Sequence, residues 1–391
     1  MKLQSLGAIC VLIILTVGLL DGCVEPPESM IHWTQVKDSI QAIYAPDKRV
    51  AWFDVELKQD GKQLLLSGVT DQQEALQVLL SKLHDAGETV VNQVTVLPDS
   101  SVGDMRYAVV NNSVCNIRSE HRHSAELATQ ALLGMTLKVL QRLEEWYLVQ
   151  SPDGYISWVD HGGVQLMTGS EQLKWSKSPK VVYLRNYGNA YGDTQGTTVL
   201  SDLVLGDCLV RRGTVDGMVE VQFPDRRIGY VPIDEVADFR TWRESVVPSG
   251  ELVVAYAQSL LGSPYLWGGT STKGMDCSGF TKMAYLMNGY IIPRDASQQV
   301  HAGTVVDPNL TFEGLEKGDL LFFGRAATDS TRQRVTHVGL WMGDSTFIHS
   351  SQQVRISSVD SNALQYDEFN KNRYLGSRRY LGTMVGISHW Y

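Results

Sequence analysis

The chain has 391 residues, more than one compact core usually organises, so length alone predicts two to four domains. With 43% hydrophobic and 20% charged residues it is ordinary globular material, which excludes a disordered, collagenous or many-span membrane protein. A formal net charge of -9 argues against a nonspecific grip on nucleic acid, and five cysteines do not make a disulfide scaffold.

The first element, Met1 to Gly22, opens with Lys2 and runs through an apolar stretch from Val11 to Leu20, which reads as an export signal. Its end, Leu20-Asp21-Gly22-Cys23, resembles a lipoprotein cleavage box, with Asp21 departing from the small neutral residue usual there. The resemblance implies a signal over residues 1–23, lipid attachment at Cys23, and a lipid-anchored chain on the periplasmic side of the cell envelope, with the membrane as a partner. The mature thiols would then be Cys115, Cys208 and Cys277, an odd number that leaves one unpaired.

Residues 30–100 read as a small α/β unit. Trp33, Val36, Ile40 and Ile43 recur at helical spacing, and Val50 to Leu57 and Gln63 to Ser67 alternate like two strands around the turn Asp60-Gly61. Asp71 is placed to cap a helix carrying Ala75, Val78, Leu79 and Leu83, and Thr89 to Leu97 closes as a strand. This order resembles a BON-type domain, and the role expected of it is that of a spacer.

An internal repeat follows. Under a shift of 72 positions Leu133-Gly134 superimposes on Leu205-Gly206, Val149-Gln150 on Val221-Gln222, Pro152-Asp153 on Pro224-Asp225, and Trp158-Val159 on Tyr230-Val231. Short alternating runs punctuated by Gly and Pro-Asp turns predict two small antiparallel barrels, at 105–167 and 176–238, that resemble bacterial SH3-like domains. Cys115 and Cys208 fall in strand-like runs of these units and read as small buried hydrophobes. His121-Arg122-His123 lacks a third and fourth ligand, so no metal is expected, and no glycine-rich phosphate loop suggests a cofactor.

The joint at Pro248 and Gly250 opens the last unit, residues 250–391. Gly274-Met275-Asp276-Cys277-Ser278-Gly279-Phe280 leads into apolar positions Phe280, Met283, Ala284 and Met287 at helical spacing, which seats Cys277 in the first turn of a core helix. Unpaired N–H groups and the helix dipole favour a thiolate there. Val335 to Met342 alternates as a strand, Gly343-Asp344-Ser345 turns, and Thr346 to His349 runs back. That hairpin puts His349 opposite Gly339 and one diagonal step from His337, within reach of a ring-to-ring hydrogen bond that would fix the His337 tautomer.

The order D-C-S-G-F, then H-V-G-L-W, then F-I-H-S resembles the NlpC-type cell-wall cysteine peptidases, a reduced papain-like fold. The chain as a whole then reads as multidomain α+β, with a papain-like catalytic unit preceded by two SH3-like barrels and the BON-like unit. The resemblance implies Cys277 as nucleophile, His337 as general base, His349 as the residue orienting that base, and Tyr265 as a second oxyanion donor beside the Cys277 N–H. Two SH3-like modules before such a unit resemble the γ-D-glutamyl-L-diamino acid endopeptidases, which process peptidoglycan-derived peptides bearing a free N-terminal L-alanine. In that subgroup Trp267, Asp276, Ser278 and Asp295 would line the substrate cleft, Asp276 and Asp295 receiving an ammonium, while Tyr155 and Glu126 of the first SH3-like module, with Glu120 in reserve, would cap it. A monomer without cofactor is expected. Two other readings stay open: an amidase or endopeptidase acting on intact wall, and a non-enzymatic wall-binding protein.

Overall fold

In the computed structural model residues 28–390 are described; the expected signal segment and Cys23 lie outside them. The N-terminal unit begins with the helix Glu28–Tyr44, which buries Met30, Trp33 and Ile40 on one stripe, while Ile43, at the same spacing, is exposed. The antiparallel hairpin Phe53–Asp60 and Gln63–Thr70 turns at Gly61, whose φ of 61° suits a residue without a Cβ. The helix Gln73–Asp85, buried along Ala75, Leu76, Leu79 and Leu83, crosses back to Val90–Val96, which pairs parallel with the second hairpin strand. Asp71 does not cap that helix: its Oδ1 accepts the backbone N–H of Trp52 at 2.6 Å, and the helix starts without a side-chain cap.

The repeat becomes two seven-stranded antiparallel sheets, one within 107–167 and one within 180–238. Thr136–Leu143, Trp146–Gln150 and Ile156–Asp160 reappear as Cys208–Val215, Met218–Gln222 and Ile228–Pro232, each 72 residues on. Numbered within its own unit, the first sheet has strand order 7-1-4-5-6-2-3, and the second has the same order read from its other edge. The strand Trp146–Gln150 is apolar on both faces for a reason outside its own module. Tyr147 and Val149 fill the module's core, while Trp146 and Leu148 join Leu97, Ile156 and Trp158 in a cluster that also takes Trp52 and Val69 of the N-terminal unit. That unit is therefore docked on the first module by a shared apolar core.

The C-terminal unit sets the helices Gly250–Ser259 and Cys277–Leu286 against a six-stranded antiparallel sheet, ordered Thr304–Val305, Tyr374–Arg379, Leu320–Arg325, Arg334–Gly343, Thr346–Ser351 and Gln353–Ser358. Alternation sorts the central strand: Leu320 and Phe322 meet Phe280, Met283 and Ala284 of the helix, and Leu321 and Phe323 meet Trp341 and Phe347 on the far face. The hairpin after Arg334 turns through Asp344 and Ser345, both at positive φ (48° and 57°).

Candidate active site

Cys277 is the first residue of the helix Cys277–Leu286, and Asp276 is its N-cap, accepting from the Gly279 N–H at 2.7 Å. The same carboxylate accepts from Gly268 N–H at 3.0 Å and from both terminal nitrogens of Arg294, at 3.1 and 2.6 Å. Arg294 is 1% exposed and also donates to Ser278 Oγ at 3.0 Å and to Thr129 Oγ1 of the first module at 3.0 Å. A buried guanidinium satisfied on all sides holds the start of the helix rigid.

Across from it, His337 and His349 come together: His337 Nε2 lies 2.7 Å from His349 Nδ1, with ring centroids 5.0 Å apart and nearly perpendicular planes. The register pairs Leu340 with Ile348 and Trp341 with Phe347, so His349 faces Gly339 one step further on. A Cβ on Gly339 would stand 2.9 Å from Phe347 and 3.4 Å from His349 Cβ, so the glycine leaves the His349 ring room to cross to His337. His349 Nε2 lies 3.1 Å from Ser357 Oγ and 3.9 Å from an Asp367 oxygen. If His349 donates its Nε2–H to Ser357, its Nδ1 accepts from His337 Nε2–H, and His337 Nδ1 is left as a free base. The competing donor, Arg355 Nε, is 3.5 Å away, at the limit of a hydrogen bond, so the Ser357 arrangement is favoured.

The thiol opens into a cleft of about 600 Å³ walled by the N-terminal unit, the first SH3-like module and the catalytic unit. Cys277, Trp267, Asp276, Ser278, Arg294 and Asp295 come from the C-terminal unit, Glu126 and Tyr155 from the first SH3-like module, and Arg49 from the N-terminal unit. Glu126 accepts from the Trp267 indole, and Asp153 pairs with Lys282 on the Cys277 helix, so the module is tied to the catalytic unit at two points. The strand residues Val335 and Thr336 line the same cleft, and the backbone amide of Val338 is near enough to the Cys277 sulfur to oppose part of the rise in its pKa that burial causes. Tyr265 stands outside the cleft wall, half-buried, and a charge on Cys277 helps burial raise its pKa, which marks the phenol as a neighbour of the sulfur.

Residues 262–373 match the NlpC/P60 family, and residues 117–163 match the bacterial dipeptidyl-peptidase Sh3 domain. A γ-D-glutamyl-L-lysine dipeptidyl-peptidase of Bacillus cereus is 29% identical over 265 residues, covering 66% of this chain and 76% of that protein. Dipeptidyl-peptidase 6 of Lysinibacillus sphaericus is 30% identical over 267 residues, covering 65% of this chain and 92% of that one. The crystal structure of an NlpC/P60 family protein from Bacillus cereus shares the fold, with a TM-score of 0.60 at 24% identity over 70% of this chain and 99% of that chain. This chain is an NlpC/P60 cysteine peptidase.

The electrostatics of this NlpC/P60 unit correct one expectation. Burial, followed by the Asp276 charge, pushes the Cys277 thiol up to about 12, and burial with the His349 and Arg373 charges pulls His337 down to about 3. Desolvation opposes the helix start and favours the thiol and the neutral imidazole over the ion pair. A second correction concerns Asp276. Both of its oxygens are taken by Gly268, Gly279, Ser278 and Arg294, so it serves as cap and counter-ion instead of receiving an ammonium. Glu120 is exposed, paired with Arg122 and away from the cleft. Cys115 and Cys208 are buried and free, as is Cys277.

Sequence reasoning missed Arg294, Ser357, Asp367, Arg373 and Arg49. Arg294 had a signal, since a buried capping carboxylate beside a nucleophile needs a cation, and the R-D pair was in view. Arg373 touches the site electrically, its charge opposing protonation of His337 while its own pKa responds to Cys277. Nothing in the sequence pointed to Arg49.

Proposed function

We propose that this chain hydrolyses the γ-D-glutamyl to L-diamino acid amide bond of peptidoglycan-derived peptides that carry a free N-terminal L-alanine. What supports the reading is the cleft itself: its floor holds Cys277, and its walls carry the acids Glu126 and Asp295 and the phenol of Tyr155, a set suited to an ammonium a short peptide's length from the thiol. The Bacillus cereus relative, named a γ-D-glutamyl-L-lysine dipeptidyl-peptidase, agrees with it.

In this reading His337 Nδ1 takes the Cys277 proton as the sulfur attacks the amide carbonyl. The oxyanion meets the Cys277 N–H and the Tyr265 hydroxyl, and the imidazolium returns the proton to the departing amine. Water, deprotonated by the same nitrogen, then opens the thioester, releasing the L-Ala-γ-D-Glu dipeptide and the free thiol. His349 and Ser357 hold the imidazole in the productive tautomer. We also propose that the chain is exported and anchored by a lipid on Cys23, behind a BON-like first unit. Loss of the anchor in Cys23→Ser, read by membrane fractionation, tests that part.

The deciding experiment mixes purified protein with L-Ala-γ-D-Glu peptides ending in diaminopimelate or lysine, each with an N-acetylated twin. Dipeptide release from the free-amine forms, abolished in Cys277→Ala, is the expected result. Equal turnover of the acetylated twins would shift the reading toward an enzyme of intact wall, and wall binding without turnover toward a binding protein.

A further inference from the structure

The N-terminal unit reaches the cleft through the short connection between its first helix and its hairpin. There Arg49 Nη1 donates to Asp295 Oδ2 at 2.7 Å and to Ser297 Oγ at 3.0 Å, and the guanidinium lines the cleft beside Tyr155. The remaining nitrogens are committed elsewhere: Nε and Nη2 bind Asp47 at 2.8 and 2.7 Å. Gln298 Nε2 donates to Asp47 at 2.8 Å, and Gln298 Oε1 accepts from Asp295 N–H at 3.1 Å, so a closed ring of Asp47, Arg49, Asp295 and Gln298 spans the two units. The Arg49 backbone is fixed too, its carbonyl accepting at 2.7 Å from Ile156, the residue after Tyr155.

An isolated, partly exposed ion pair contributes little to stability, so the position of this one matters more than its strength. Its acidic half is the carboxylate that faces the cleft, and its basic half is backed by the strand Ile156–Asp160, which begins just after the cleft's tyrosine. Four hydrogen bonds from the guanidinium to three partners, and one to the backbone carbonyl, make it a fixed wall, which a movable plug would not be. We propose that Arg49 is a positioning residue that sets specificity: through this ring the N-terminal unit aims Asp295 and Tyr155 at one substrate ammonium and fills the space beyond it, selecting a free amine over a blocked one. The inference rests on the reading that Asp295, Tyr155 and Glu126 receive that ammonium.

The test compares full-length wild type, Arg49→Ala, Arg49→Lys and Asp47→Asn on the free-amine peptide and its N-acetyl twin. Loss of one charge-assisted contact predicts a KM for the free amine raised about tenfold in Arg49→Ala with kcat held within about twofold. Turnover of the acetylated twin stays level or rises, so the preference for the free amine falls about tenfold. Arg49→Lys keeps one donor toward Asp295 and restores part of the preference, and Asp47→Asn, which loosens Arg49 without removing it, shifts the preference the same way by less. An unchanged preference, equal losses on both peptides, or a lower KM in Arg49→Ala, as removal of a plug would give, each overturns the inference. Should Arg49→Ala fail to fold, the Lys and Asn variants carry the same comparison. Absence of wild-type turnover on either peptide sinks the functional reading first, whereas wild-type selectivity that survives in the variants sinks Arg49 alone.

Discussion

In the proposed mechanism the proton leaving Cys277 needs a nitrogen that is not already engaged, and His337 Nε2 is committed to His349, which leaves Nδ1. The value of His349 therefore lies in accepting one hydrogen bond at Nδ1, something an asparagine carbonyl can imitate and a leucine cannot. His349→Asn is expected to keep kcat within about tenfold of wild type, and His349→Leu to lose about 10²-fold or more, measured as peptide turnover. The pH response follows from the same environment. His337 is pulled down to about 3 and His349 to about 4, so both rings stay neutral well below the ordinary imidazole value. The base form of His337 persists on acidification, and the acid limb of kcat/KM is expected below pH 6.5. For stability the sign is opposite: below about pH 6.5 the unfolded chain takes up protons that the folded chain refuses until about 4, so the protein loses stability as pH falls through that window. Thermal melts at pH 7 and pH 5 should show a drop of about a few degrees that shrinks in His349→Asn; a melt independent of pH would contradict the burial of the pair.

At the scale of elements, the helix Cys277–Leu286 and the Arg334 to Ser351 hairpin were readable because each carries its own period. Apolar residues three and four apart mark the helix, strict alternation marks the strand, and the Gly343-Asp344-Ser345 turn fixes the register that brings the two imidazoles together. The charge state of the thiol was not readable, because it depends on how much of the whole chain closes over it. Nor was the occupancy of Asp276, since its counter-ion comes from a loop 18 residues further on. Asp71 shows the same limit: its spacing fitted a cap, yet the Trp52 amide, 19 residues earlier, won the carboxylate. The Arg294 to Asp276 pair gives this scale its prediction. Arg294→Met leaves a carboxylate buried without its cation and should cost about 3–5 kcal/mol in urea unfolding. Activity should fall further than the stability loss explains, because the cap under Cys277, the proposed nucleophile, loosens. A destabilisation under about 1 kcal/mol would mean that water or another donor replaces the guanidinium.

Three units wall the cleft and the second module packs against the first, so their docking must be as exact as the packing inside each. The repeat landmarks show how: Leu133-Gly134 and Leu205-Gly206 lie at the contact of the two modules, where the Cys208 N–H donates to the Leu133 carbonyl at 2.9 Å. A Cβ on Gly134 would stand 2.1 Å from the Cys208 carbonyl oxygen. The contact that shapes the cleft is Gly268, at φ 81°, where a Cβ would stand 2.0 Å from the carbonyl oxygen of Leu127 in the first module. Gly262 provides the control, with φ 80° and nothing within 4 Å of the same imagined atom. Gly262→Ala then measures only the backbone term, about 1–2 kcal/mol for an L-residue held in the left-handed region. Gly268→Ala adds a collision with a main-chain atom that cannot turn away, and should cost at least about 1–3 kcal/mol more. It should also part Trp267 from Glu126 and raise KM for the free-amine peptide, since the wall moves as a body while Cys277, His337 and His349 keep their places within one unit. Chemical unfolding and steady-state kinetics on the two alanine variants check this together: equal destabilisation, with KM unmoved in both, would show that the module does not close on the catalytic unit at Gly268.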